Sequence, residues 1–359
     1  MTSVPMFRIP RPFDMHTHLR QGPLMRLVTR LTARHFDGAI VMPNTNPPIL
    51  TGEDACRYQS DIMRSARGAN ASFLPLTLIK LTMETTPDII IQAKKLGVVA
   101  AKMYPVGVTT NSADGVDLDK LRELYPTFKA MEDTGVILCI HGEVGGDVFV
   151  LDREEFFFEY LRQLHRDFPT LRIVLEHITT KAAVDLVRNL GKTVAASITL
   201  HHLFLTLNNV LCDPVGAGEF LRPHHACRPY AKRPEDRDAL VRAAISGDPK
   251  FFWGTDSAPH PFDKKEADCC AAGVWTTPVA LPLLVELFEK HEALERLAGF
   301  SSQFGLAFYG IKRRTRMLTM VKRAWTVPLA YDVRNGAKFV TKIVPFRAGQ
   351  KISWKVARY

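Results

Sequence analysis

Short apolar runs rich in β-branched residues alternate along the chain with segments of helical, amphipathic spacing, and this alternation predicts a parallel α/β protein. Eight runs read as strands, at 13–19, 38–44, 73–81, 98–104, 136–141, 172–177, 193–199 and 251–255. Segments 54–67, 118–133, 154–166, 181–190 and 235–245 carry the helical pattern, and Pro126 predicts a helix begun or kinked at that point. Strand number and spacing favour closure into a (β/α)8 barrel, a fold of about 250 residues before insertions. No internal repeat, low-complexity run or Pro/Gly-rich linker divides the chain, so one domain over 1–359 is expected. Within it, 338–356 alternates apolar residues around Ala348-Gly349 and reads as a peripheral terminal hairpin.

Composition adds little until charge is considered. With 46% hydrophobic and 23% charged residues the chain is an ordinary globular protein. The 47 Lys and Arg against 37 Asp and Glu leave +10, a field that favours anionic partners without choosing among nucleic acid, acidic membranes and small metabolites. The basic residues are scattered apart from Lys312-Arg313-Arg314-Thr315-Arg316 and Lys322-Arg323, which read as helix surface or subunit contact in preference to a nucleic-acid patch. The N-terminus lacks the apolar core of a secretory signal, and no stretch approaches the roughly 20 apolar residues of a membrane span. A cytoplasmic protein with no membrane partner is expected, and the scattered cysteines, without a CxxC pair, suit a reducing compartment.

Residues able to bind metal or move protons gather at the carboxyl ends of the predicted strands: His16 and His18 after the first, Lys102 in the fourth, His141 after the fifth, His177 after the sixth and Asp256 after the eighth. In a barrel those ends share one face, where active sites are built from several strands. Period-two spacing points His16 and His18 to the same side of a strand, which is half of a metal site. Taken singly, His141 or His177 reads as a hydrogen-bonded core histidine; their common placement favours ligands. Lys102 lies in the apolar run Val98-Val99-Ala100-Ala101-Lys102-Met103-Tyr104, where a free ammonium is costly to bury. Either it snorkels to the barrel mouth, or its pKa is depressed and it reacts with carbon dioxide to give a carbamate that bridges two cations. Spacing does not decide between them. Asp256, in Gly254-Thr255-Asp256-Ser257-Ala258-Pro259-His260, is placed to ligate a metal and act as general base toward its water. A turn and helix cap would also explain Asp256, but not His260.

The chain resembles the dihydroorotases of the amidohydrolase superfamily, in particular their monofunctional bacterial-type branch. The motifs, in order, are Asp14-Met15-His16-Thr17-His18-Leu19-Arg20, Val41-Met42-Pro43-Asn44, Ala101-Lys102-Met103-Tyr104-Pro105, Thr109-Thr110-Asn111-Ser112, His141-Gly142-Glu143, Glu176-His177-Ile178-Thr179-Thr180, Arg222-Pro223-His224 and 254–260. The resemblance implies a barrel holding two zinc ions per subunit, bridged by carboxylated Lys102 (N6-carboxylysine) and a hydroxide. One metal would rest on His16, His18 and Asp256, the other on His141 and His177, with Asp256 the catalytic base. It also implies reversible cyclisation of N-carbamoyl-L-aspartate to L-dihydroorotate in pyrimidine biosynthesis, and a homodimer. Arg20, Asn44 and His260 would bind the substrate carboxylate, main-chain groups of Arg228 and Ala272 the pyrimidine or its open form, and Thr109 and Thr110 would close a lid over it. Cys270, Ala271 and Arg228 depart from the family pattern, and 213–220 reads as an insertion. Two rivals remain: a hydantoinase- or allantoinase-like cyclic amidohydrolase, and a catalytically silent barrel. Six competent ligand positions argue against the second, and the carboxylate-binding trio against the first.

Overall fold

The computed structural model describes residues 5–211, 221–313 and 316–357. The insertion-like stretch 213–220 lies outside them. Parallel strands follow one another in chain order: Phe13–Thr17, Gly38–Val41, Leu74–Thr77 with Ile79–Leu81, Ala100–Met103, Ile137–His141, Ile173–Glu176, Val194–Ile198 and Phe251–Trp253. Eight positions around a ring result, each strand pairing with its sequence neighbours, and the ring is the expected (β/α)8 barrel. The run expected as one strand over 73–81 is two short ones: Leu74–Thr77 pairs with Gly38–Val41, and Ile79–Leu81 with Ala100–Met103. Breaking at Leu78 lets one segment turn a barrel corner and serve both neighbours. The last and first strands close through a parallel bridge, Thr17 to Ser257, with Asp256 N donating to His16 O at 2.8 Å and His18 N to Ser257 O at 3.1 Å.

Period-two alternation sorts the strand residues into layers. Phe13, Met15, Ile40, Leu78, Ala100, Ile137, Cys139, Val174 and Phe252 fill the barrel interior, plugged by Leu306 and Tyr309. Two residues further along the same strands, on the same inward face, stand Lys102 above Ala100, His141 above Cys139 and Glu176 above Val174. The polar layer thus continues the core upward. It ends where the strands end.

Helices pack outside, Gly52–Ala66 opening on a Thr51 capping box and Lys181–Asn189 on a Thr180 cap four residues after Glu176. Over 118–133 the chain forms a 3-10 turn, Leu118–Leu124, and then an α-helix, Tyr125–Thr134, begun at Pro126 as the sequence predicts.

Two expectations need correction. Residues 338–356 are not a hairpin: Lys338–Ile343 pairs with Tyr331–Asn335, while Lys351–Val356 joins Met317–Thr326 in a sheet that also holds Met6–Pro10. Each half finds an antiparallel partner upstream, so the turn at Gly349 separates two sheets. Nor do Arg313 and Lys322 lie on helices. Arg313 is bound to the buried Asp37 carboxylate, with Nη2 on Asp37 O at 3.0 Å, and Lys322 lies on a strand, bonded to Glu289 at 2.8 Å.

Candidate metal and substrate site

The strand ends bring the predicted ligands together. His18 Nε2 lies 3.0 Å and His16 Nε2 3.3 Å from the same Asp256 oxygen. Ring centroids step from His18 to His16 at 5.4 Å, to His177 at 5.1 Å and to His141 at 4.7 Å. Lys102 is fully buried beneath them, and its Nζ has no hydrogen-bond partner among the described residues. Burial pushes its ammonium below the usual lysine range. Burial would raise the Asp256 carboxyl, but His16 and His18 outweigh it and hold it ionised. At His16 the Glu176 and Asp256 carboxylates overcome burial and raise the ring to about 9, whereas burial prevails at His18 and pushes it to about 4. A cation at this place would take over the role of the His16 proton.

Several residues that orient the ligands were not singled out from the sequence. Glu176 holds His16 Nδ1 at 2.9 Å, which leaves Nε2 for the site, and Glu143 holds His141 Nε2 at 2.8 Å, which leaves Nδ1. Ser197 donates to Glu176 and receives the His177 N–H at 2.7 Å. Asp14 accepts from Thr255 N at 2.8 Å and Thr255 Oγ1 at 2.6 Å, tying the first strand to the eighth; burial raises its carboxyl to about 7. The signal was a carboxylate beside three of the candidate ligands, in His141-Gly142-Glu143, Glu176-His177 and Asp14-Met15-His16. Pinned imidazoles, a shared carboxylate and an orphaned buried amine fit a divalent-metal centre.

Strain marks the same places. Arg20, His177 and Asp256 adopt positive φ of 59°, 43° and 41°, left-handed conformations that cost about 1–2 kcal/mol each in non-glycine residues. Gly254 is required for a different reason: a Cβ there would lie 2.6 Å from His16 Cβ.

Around the ligands, Arg20, Asn44, Thr109, Thr110, Arg228 and Ala272 line one cavity with His16, His18, His141, His177 and Asp256. Arg20 spends Nε on Pro259 O at 2.9 Å and faces His260 Nε2 with Nη2 at 3.0 Å. Its other N–H groups are left for an anion. Burial and the Arg20 cation push His260 to about 2, so the ring is neutral. Asn44 Nδ2 donates to Thr110 O at 3.3 Å, and Asn111 Nδ2 to Asn44 O at 2.9 Å, so the loop carrying both threonines is seated on Asn44. The Arg228 guanidinium stacks 4.8 Å over Tyr230.

A second buried group, His201, His202 and Cys227, also gathers possible ligand atoms. His202 already has Thr199 Oγ1 at 2.8 Å and Pro229 O at 3.0 Å, and Cys227 donates to Pro229 O at 3.2 Å. Those two side chains are closed on the protein itself.

An amidohydrolase family profile matches residues 14–282. A dihydroorotase of Azoarcus sp. (strain BH72) is 44% identical over 351 residues, covering 97% of this chain and 98% of its own. Among solved structures, a dihydroorotase from Saccharomyces cerevisiae in complex with 5-fluoroorotic acid superposes with a TM-score of 0.87 at 37% identity, over 99% of each chain. A dihydroorotase from Campylobacter jejuni gives 0.88 at 36% identity, over 100% of this chain and 99% of the other.

Proposed function

This chain belongs to the dihydroorotases of the amidohydrolase family, and from that premise we propose how its own residues serve the reversible closure of N-carbamoyl-L-aspartate to L-dihydroorotate. The observation that carries the reading is the ring of four imidazoles and Asp256 over a buried Lys102 that has no hydrogen-bond partner among the described residues. His16, His18 and Asp256 would hold one zinc ion and His141 and His177 a second. A carboxylated Lys102 would lie between them: the neutral amine adds to carbon dioxide and releases one proton, which exchanges a costly ammonium for an anionic ligand. Bound there, the ions supply an acidified water and polarise the amide carbonyl.

Asp256 does the proton work. In the hydrolytic direction it takes the proton of the attacking water and returns it to the ring nitrogen as the C–N bond breaks; in closure it removes that proton from the ureido nitrogen as the C–N bond forms and gives it to the departing carboxyl oxygen, which leaves as water. The free N–H groups of Arg20, with Asn44 and neutral His260, bind the substrate carboxylate, and Thr109 and Thr110 cover the open chain. The 5-fluoroorotic acid bound by the yeast relative is an anionic pyrimidine of the kind this pocket suits.

No helix among the described residues is long and apolar enough to cross a membrane; we propose a cytoplasmic enzyme acting as one domain and assembling as a homodimer. The test of function is a substrate panel of dihydroorotate, hydantoin and allantoin. Turnover of dihydroorotate alone is expected, and turnover of only the other two, or of none at full metal occupancy, would overturn the reading.

A further inference from the structure

Two loops, one carrying Arg228 and the other Ala272, meet at the cavity, and a single buried cation joins them. Lys265 ends the short helix Phe262–Lys265 and is only 2% exposed. Its ammonium donates to three main-chain carbonyls, Ala226 at 3.0 Å, Ala271 at 2.7 Å and Gly273 at 3.0 Å. Those bonds use every N–H of the group. An ammonium withdrawn from water is costly, and charge-assisted bonds to these carbonyls offset that cost without a carboxylate. Gly273 N donates to Ala226 O at 2.9 Å, so the same oxygen is the knot between both loops.

Peptide geometry gives the arrangement a direction. In a trans peptide the C=O and the following N–H point opposite ways. With the Ala271 carbonyl turned to the ammonium, the Ala272 N–H faces away from it. Ala272 lines the cavity, and this N–H has no hydrogen-bond partner among the described residues.

We propose that Lys265 is a positioning residue for substrate: it fixes the separation of the main-chain groups at Arg228 and Ala272 and aims the free Ala272 N–H at the ring or its open form. The proposal rests on the dihydroorotase reading of the site. It also accounts for the tolerance of the unusual Cys270 and Ala271, because Lys265 grips main-chain oxygen, which any residue supplies.

Steady-state kinetics and metal analysis of wild type, K265M and K265R provide the test. K265M is expected to raise KM for dihydroorotate about tenfold or more, with kcat within about threefold and metal content unchanged, the pattern of lost uniform binding. K265R, which keeps a cation and several donors, should recover part of that loss. An unchanged KM in K265M, or a joint fall of kcat and metal content, would overturn the proposal. Should K265M fail to fold, K265Q is measured in the same way; failure of both, with K265R folded and unaltered in KM, would mean the ammonium supports the fold and would equally overturn it. A wild type that leaves dihydroorotate untouched defeats the functional reading instead, a distinguishable result.

Discussion

Lys102 shows how far single residues could be read. An ammonium in an apolar strand was anomalous in the sequence, and the fold makes it more so: the amine is buried, without a hydrogen-bond partner among the described residues, and faces the Tyr104 ring at 5.2 Å. Lys102→Ala is expected to lose most bound metal and at least about a thousandfold in activity. Short-chain carboxylic acids should restore part of both, as metal analysis with and without added acid would show; full metal binding by the variant would contradict the bridge. Glu154 was invisible, since nothing in an amphipathic helix marks one glutamate as the buried one. It accepts the Thr179 N–H at 2.7 Å, just beyond His177, and burial raises its carboxyl to about 7 against an ordinary 4.5. The folded state therefore keeps a proton that the unfolded chain releases. The stability this group contributes is complete below pH about 4.5 and is lost as pH rises through about 7. Glu154→Gln should remove that slope, worth about 3 kcal/mol across the window. Urea midpoints of both proteins at pH 5 and pH 8, at constant metal content, would show it as a gain in the variant's relative stability at the higher pH.

At the scale of elements, strand positions were legible because buried parallel strands write themselves as short apolar runs. The fate of the C-terminal strands was not. Alternation shows that a segment can pair, while its partner is chosen by what lies beside it, and Lys351–Val356 lies beside Met317–Thr326. The link between Arg313 and Asp37 has the same character. A basic run looks solvated until one of its members is found closing the buried start of the second barrel strand. Arg313→Ala would leave Asp37 buried and unpaired, at a cost of about 3 kcal/mol. Chemical denaturation should register that loss while KM stays at its wild-type value, and an unchanged midpoint would show that the pair carries no stability.

For the whole molecule, the excess of positive charge gains a purpose once the substrate is anionic. N-carbamoyl-L-aspartate carries two carboxylates and dihydroorotate one, so raising salt should lower kcat/KM more steeply for the open chain, about two- to fivefold over the physiological range. Equal salt dependence for both substrates would argue against steering by the global field. Light scattering at micromolar concentration should report a dimer, and a monomer would remove that assembly. The order of the barrel strands, five of the helices and the identity of six ligand-competent side chains at strand ends were carried by the linear chain, because periodicity and local chemistry are local properties; the helices Gly22–His35, Pro87–Lys95 and Ala280–Lys290 were not read from it. Folding alone determined which ring nitrogen of His16 and of His141 faces the site, that Glu176 and Glu143 hold those rings and Asp14 the His16 main chain, and that Lys265 binds two distant loops. Those facts depend on separations in space between residues far apart in the chain, and no local pattern records them.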